Sequence, residues 1–406
     1  MYEIKTTQLL KKVMSDYFMK FHDKSKKVAW CTSVGPAELL RSFDFEVFFP
    51  ENHGALIGTS RMAGDFIPTA VKLGYSNETC SYLTCDIGSF KNNSTPLSKH
   101  YGLQTVPKPD LLVYNTNQCR EVQDWFQYYG NTYNFPVIGI KPPRHLDEVS
   151  RADIKNVSEQ FKSMIPLCEQ ISGQKFKLEK FAEILKLSKE ATFLWKDCLK
   201  TAKKSPPPIS FFDETIHMGP IVVLRGTEVA KEYYQTLLNE LKQNVNQGIS
   251  YLEYEECRIY WEGMPIWGRL RKMSELFIKN NAAVVASTYC NSWIFDDFDE
   301  NNPFESSALA YTTIFINRSQ EAKLQIIKSL IEEYKIDGII FHDAKTCFNN
   351  SNARFGMPVR LKEETGVETL IIEADLCDLR FYSEDQSITK IETFIEQMKP
   401  SSLRKY

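Results

Sequence analysis

The stretch KKVAWCTSVGPAELL, residues 26–40, carries a β-branched and aromatic run into Trp30, then a polar turn around Gly35 and Pro36, then an apolar restart at Leu39 and Leu40. A strand that hands over to a helix through such a turn is one βα unit. The pattern returns in EVFF around Val47, DLLVY from Asp110 and PVIGI from Pro136. Recurrent βα units predict a parallel sheet in the first third of the chain. From residue 147 to 204 the pattern changes to charged segments of helical period, FKSMIPLCEQI and LEKFAEILKLSKEATFLWKDCLK, halted by Pro206, Pro207 and Pro208. Another amphipathic helix, about 226–246, precedes a second series: RIYWE before Gly263, AAVVAST from Ala282, DGIIFH from Asp337 and TLIIEA from Thr369.

The expected fold class is therefore α/β, with two Rossmann-like or flavodoxin-like lobes, each built on a parallel sheet. Residues 1–146 form the first lobe, 147–250 a helical connecting region and 251–406 the second lobe, ending in a frayed tail from 399. No fixed-period repeat is evident along the chain. Composition narrows the function. Of 406 residues, 49 are Lys or Arg and 52 are Asp or Glu, so the formal charge is −3 and no basic excess exists to neutralise a nucleic-acid backbone. No apolar run approaches membrane-spanning length, and the polar opening MYEIKTTQLLKK lacks an export signal's apolar region. A soluble cytoplasmic protein with neither nucleic-acid nor membrane partner is expected. Ten cysteines in a chain of this length fall far below a secreted disulfide framework, so reduced thiols are expected, free for metal, redox or burial.

Ligands of open α/β sheets collect beyond the carboxyl ends of the strands. Cys31 directly follows KKVAW, Cys119 lies five residues past Tyr114, Cys290 follows AAVVAST closely and Cys347 lies five past His342. Cys80 and Cys85 sit in the turn-rich YSNETCSYLTCDIGSF. None of these forms a CxxC pair or a zinc-finger spacing, so local motif evidence for a metal is weak. The general tendency of cysteine is burial as a small hydrophobe. Helical Cys168 and Cys198, and Cys257, fit that tendency; Cys377 follows a strand and is a reserve ligand.

The pieces WCTSVGPAELL, FPENHGALIG, GYSNETCSY, NTNQC, WEGMPIW and FHDAKTC occur in order between about Val28 and Asp375. Together they resemble the 2-hydroxyacyl-CoA dehydratase / benzoyl-CoA reductase family. The resemblance implies an oxygen-sensitive 4Fe–4S cluster on Cys80, Cys119 and Cys347, fed with low-potential electrons by a separate ATP-hydrolysing 4Fe–4S activator. This chain departs from the dehydratase pattern at Cys31, Cys85 and Cys290, where Ser, Thr and Pro are typical. Three further thiols beside the three ligands make six, the count that two cubanes sharing one bridging sulfide require. The chain thus resembles the double-cubane branch, with an 8Fe–9S cluster held by Cys31, Cys80, Cys85, Cys119, Cys290 and Cys347.

That reading implies an iron–sulfur oxidoreductase of anaerobic habit, most naturally a homodimer, reducing a small molecule. The alternative is a single-cluster 4Fe–4S dehydratase or benzoyl-CoA reductase subunit paired with a different subunit. The sequence contains no GxxxxGK[ST] phosphate loop, which assigns ATP hydrolysis to the partner. Protons must accompany electrons, and Ser33, Glu51 and His53 are the acid/base candidates; in the resembling dehydratases, positions matching Ser33 and Glu51 lie near the substrate. His342, Asp343 and His145 lie near strand ends, and Trp261 and Glu262 follow a strand into the same region. For the histidines a structural role is the simpler expectation.

Overall fold

The computed structural model describes residues 4–398; the expected frayed tail lies outside them. Two four-stranded sheets form, every pairing parallel. In the first, β1 (Val28–Cys31), β2 (Glu46–Phe48), β3 (Leu111–Asn115) and β4 (Val137–Ile140) stand in the order β2-β1-β3-β4. In the second, β5 (Cys257–Glu262), β6 (Ala282–Ser287), β7 (Gly338–Ala344) and β8 (Glu368–Ala374) stand in the order β6-β5-β7-β8. The second sheet repeats the topology of the first. Both expected strand series are present, and the fold is α/β with two lobes.

The central strands β1, β3 and β5 are buried along their whole length and β7 is buried except at Asp343, whereas the edge strands β4 and β8 are partly exposed. Helices on both faces of a parallel sheet produce this pattern, and it explains why the central runs read as continuously apolar. One polar residue recurs at the foot of each sheet. The Asp110 carboxylate accepts the Val28 N–H at 2.9 Å, and the Asp337 carboxylate accepts the Arg258 N–H at 2.8 Å. Each aspartate precedes the third strand of its lobe and closes the base of the central pair.

The predicted helical region contains Arg151–Ser163, Ile165–Ser172 and Leu178–Lys200, and the helix expected near 226–246 runs Glu228–Gln247 behind the capping hydroxyl of Thr227. Between them lie two short helices without an amphipathic signature, Phe211–His217 and Gly219–Val223. They lead to Arg225, a fully buried cation. Its guanidinium donates to the carbonyls of Val222 at 2.7 Å and Gly35 at 2.9 Å and to the Tyr311 hydroxyl at 3.0 Å, and it faces the Glu38 carboxylate at 3.1 Å. Tyr311 and Ser188 donate in turn to Glu38, at 2.5 and 2.6 Å. This network joins the β1 loop, the connecting helices and the second lobe.

The lobes also touch where side chains are missing. A β-carbon on Gly58 would stand 2.8 Å from Cys377 Sγ and 2.9 Å from Trp267 Cβ, and one on Gly268 would stand 2.9 Å from Leu379 and 3.3 Å from the Gly58 carbonyl. The first lobe thus meets the second almost backbone to backbone.

Replacing Arg225 by Met should leave Glu38 buried without its cation and lower stability by about 3–5 kcal/mol. The midpoint of denaturant unfolding reads this loss; an unchanged midpoint would show that the network contributes little.

Candidate functional site

The strand order reverses direction between β1 and β3 in one lobe and between β5 and β7 in the other, and loops diverge there to leave a crevice. A cavity of about 390 Å³ lies in that place, lined from both lobes and from the short connecting helices. Its wall is mainly apolar, with Leu56, Met264, Trp267, Tyr289, Trp293 and Ile314 among its residues. Cys80, Cys119 and Cys347 also stand on it.

Each thiol arrives by its own route. Cys119 lies in the loop after β3 and Cys347 in the loop after β7, equivalent places in the two repeats. Cys80 immediately precedes the helix Ser81–Asn92, in the crossover between β2 and β3. A bridge across the lobes ties two of them together: the Ser81 N–H, an orphan donor of that helix's first turn, is accepted by Thr346 Oγ1 at 3.0 Å. Thr346 in turn gives its hydroxyl to Asp375 at 2.6 Å and its N–H to the same carboxylate at 2.9 Å. The neighbours of Cys80 and Cys347 are thereby linked through one buried threonine. Sequence reading overlooked Thr346 and Asp375; the aspartate directly after TLIIEA was the available signal.

These three are the half-buried cysteines among the ten, and the other seven are buried. Burial pushes the Cys80 and Cys119 thiols well above the usual range and the Cys347 thiol up to about 12. Without a cation the three are protonated at neutral pH. Among the described residues no three His, Cys, Asp or Glu side chains stand close enough to grip one metal ion. Cys80, Cys119 and Cys347 are the sulfur donors on the cavity wall, the ligand type that an iron–sulfur cluster would need.

The other proposed ligands lie off the cavity, each fully buried. Cys31 closes β1 beneath Gly35, whose added β-carbon would stand 2.8 Å from the sulfur. Cys85 meets the thiol of Cys377, which also donates to the Gly54 carbonyl at 3.3 Å. Cys290 lies 3.9 Å from Thr215 Oγ1 while its carbonyl accepts the Trp195 indole N–H at 3.1 Å. Cys168 and Cys198 are buried in helices, as expected of packing thiols.

Of the acid/base candidates, Ser33 and Glu51 line the cavity. Glu51, in the first turn of the helix Pro50–Thr59, accepts the Ser33 N–H at 2.5 Å and the Gln118 amide, and burial raises its pKa in spite of those bonds. His53 does not reach the cavity. Its ring nitrogens are taken by Asp86 at 2.7 Å and Thr95 at 2.9 Å, and Asp86 also accepts from Trp125 and Tyr129, a wholly structural network. His342 is likewise buried off the cavity, its Nδ1 2.5 Å from the Met264 carbonyl. Asp343 pairs with Arg354 at 2.5 Å, and His145 is an exposed loop residue.

Two α/β lobes of the same strand order, with a mainly apolar cavity lined from both and bearing three cysteines, define the class of protein by fold and site. The family described as "2-hydroxyglutaryl-CoA dehydratase, D-component" matches residues 32–398, and the chain belongs to it. It is 30% identical over 383 residues to the (R)-2-hydroxyisocaproyl-CoA dehydratase alpha subunit of Clostridioides difficile, covering 94% of this chain and 92% of that one. It is 29% identical over 382 residues to the (R)-phenyllactyl-CoA dehydratase alpha subunit of Clostridium sporogenes, covering 93% and 90%. Identity to a benzoyl-CoA reductase subunit of Thauera aromatica is 29% over 378 residues, covering 89% and 86%. No described helix is long and apolar enough to cross a membrane.

Alkylation of the folded, metal-free protein should label Cys80, Cys119 and Cys347 ahead of the seven buried thiols, and faster as pH rises toward their raised pKa values. Peptide mapping reads the order; early labelling of Cys31, Cys85 or Cys290 would show that the interior is open.

Proposed function

We propose that the chain is the cluster-bearing subunit of an iron–sulfur dehydratase or reductase acting on a CoA thioester, with Cys80, Cys119 and Cys347 each giving a thiolate to one 4Fe–4S cluster. The observation that carries this reading is the arrival of three half-buried thiols, from three separate segments, on one apolar cavity wall beside Glu51. The double cubane expected from the six-cysteine pattern needs Cys31, Cys85 and Cys290 as well. Their complete burial beside other partners favours the three-thiolate site.

A bound cluster supplies one-electron chemistry at low potential. The remaining work falls to side chains. Cys80, Cys119 and Cys347 would hold the cluster as thiolates, each giving up the proton that burial otherwise retains. The apolar wall takes up the acyl part of a thioester and keeps water out, which strengthens every charge interaction within. Glu51, its pKa raised by burial, is the acid/base group on the cavity wall for exchanging a proton with a leaving oxygen. Electrons come from a separate low-potential donor that couples ATP hydrolysis to transfer, and the chain works beside a second subunit in the same multi-component system.

Iron and acid-labile sulfide on protein purified without air test the proposal, with about four of each expected per chain. A ratio near eight irons to nine sulfides would instead establish the six-thiolate cluster, and protein free of iron would remove both. Serine at Cys80, Cys119 or Cys347 should reduce iron content and abolish turnover of (R)-2-hydroxyisocaproyl-CoA with a reducing partner, whereas alanine at Cys168 or Cys198 should retain both.

A further inference from the structure

Behind the cavity wall lies a buried polar chain that the proposed function leaves unused. Thr288, the first residue after β6, lines the cavity. Its hydroxyl is hydrogen-bonded to the Glu262 carboxylate and to the Tyr260 hydroxyl. The other Glu262 oxygen accepts the Asn352 amide at 2.6 Å, and Asn352 Oδ1 accepts the Lys323 ammonium at 3.1 Å. All five residues are buried, and Glu262 is 1% exposed. A carboxyl group in such a place is costly in its charged form unless partners are provided, and here they are provided on both oxygens.

We propose that Glu262 stores a proton for the cavity and delivers it through the hydroxyl of Thr288. Hydrogen-bond counting gives the two states. With Glu262 protonated, its O–H and that of Tyr260 fill the two lone pairs of Thr288 Oγ1, and the Thr288 O–H turns to the cavity. With Glu262 ionised, Thr288 turns its O–H back to the carboxylate. In the transfer, the Thr288 O–H bond breaks as its proton passes to an oxygen or carbon base of the cavity's occupant, and the Glu262 proton moves onto Thr288 Oγ1. One proton leaves Glu262, one arrives on the base and no electron moves.

The electrostatics suit a store that fills and empties near neutrality. Burial raises Glu262 to about 7, against the lowering effects of the Asn352 bond, the Lys323 charge and the Tyr260 hydroxyl. Lys323 itself is brought down to about 8, chiefly by burial, with Arg144 lowering it further and Glu262 and Cys347 raising it. Among the described residues these are the charged and titratable groups that bear on the pair, from β5, the helix Gln320–Tyr334 and the loops after β4 and β7.

The assignment rests on the cavity being where the thioester is converted, and two measurements separate its failure from failure of that reading. Infrared titration of the purified protein needs no substrate: a protonated-carboxyl band should disappear with a midpoint near pH 7 and be missing in Glu262→Gln. In Thr288→Val the band should persist with a higher midpoint, since the ionised form loses a donor. Turnover of the same thioester should decline above about pH 7, and Glu262→Gln should flatten that limb and lower kcat at pH 6 by about 100-fold. Thr288→Val should lower kcat similarly and Thr288→Ser restore it. A band unchanged in Glu262→Gln, or a wild-type pH profile in that variant, overturns the proton store. Wild-type protein that titrates as described yet converts no thioester would overturn the proposed function and leave the store standing.

Discussion

One buried cation holds the molecule's three parts in register. Arg225 spends its donors on the β1 loop, the connecting segment and Tyr311 of the second lobe, with Glu38 balancing its charge. A guanidinium removed from water is unfavourable until its fork is filled, and filling it demands that all three parts be present and correctly placed. The cavity inherits its shape from that demand, because its walls come from the same three parts.

The second constraint is the repeated strand order. Two sheets of identical topology offer two crevices at equivalent switch points, and equivalent loops after β3 and β7 bring in Cys119 and Cys347. Cys80 breaks the equivalence, coming from a crossover rather than a central strand. Glu262 and Cys31 occupy matching places at the ends of β5 and β1, yet one is built into a polar chain and the other is packed beneath Gly35. The same scaffold position has been given to chemistry in one lobe and to packing in the other.

Much of this was legible in the amino-acid sequence. The strands announced themselves as apolar runs because central parallel strands are buried on both faces, and the long helices through their period. The repeat was hidden, since topology survives when residues do not; the paired aspartates Asp110 and Asp337 were its faint trace. The short helices Phe211–His217 and Gly219–Val223, each under three turns and buried on several sides, carry no amphipathic signal. Among the cysteines, strand-end position suggested Cys31, Cys119, Cys290 and Cys347, and a turn-rich segment added Cys80 and Cys85. Which thiols reach the cavity depends on side-chain direction and loop path, and those separate Cys119 and Cys347 from Cys31 and Cys290. His53 shows the same limit: one helical turn decides whether an imidazole meets the cavity or Asp86.

The glycine contact between the lobes bears on traffic. Where Gly58 and Gly268 approach, Cys377, Trp267 and Leu379 fill the space that added β-carbons would need, so that seam is closed to a guest. A bulky guest must enter along some other margin, and the helix Thr6–Met19, whose exposed Lys11 borders the cavity, offers a gatepost at the surface.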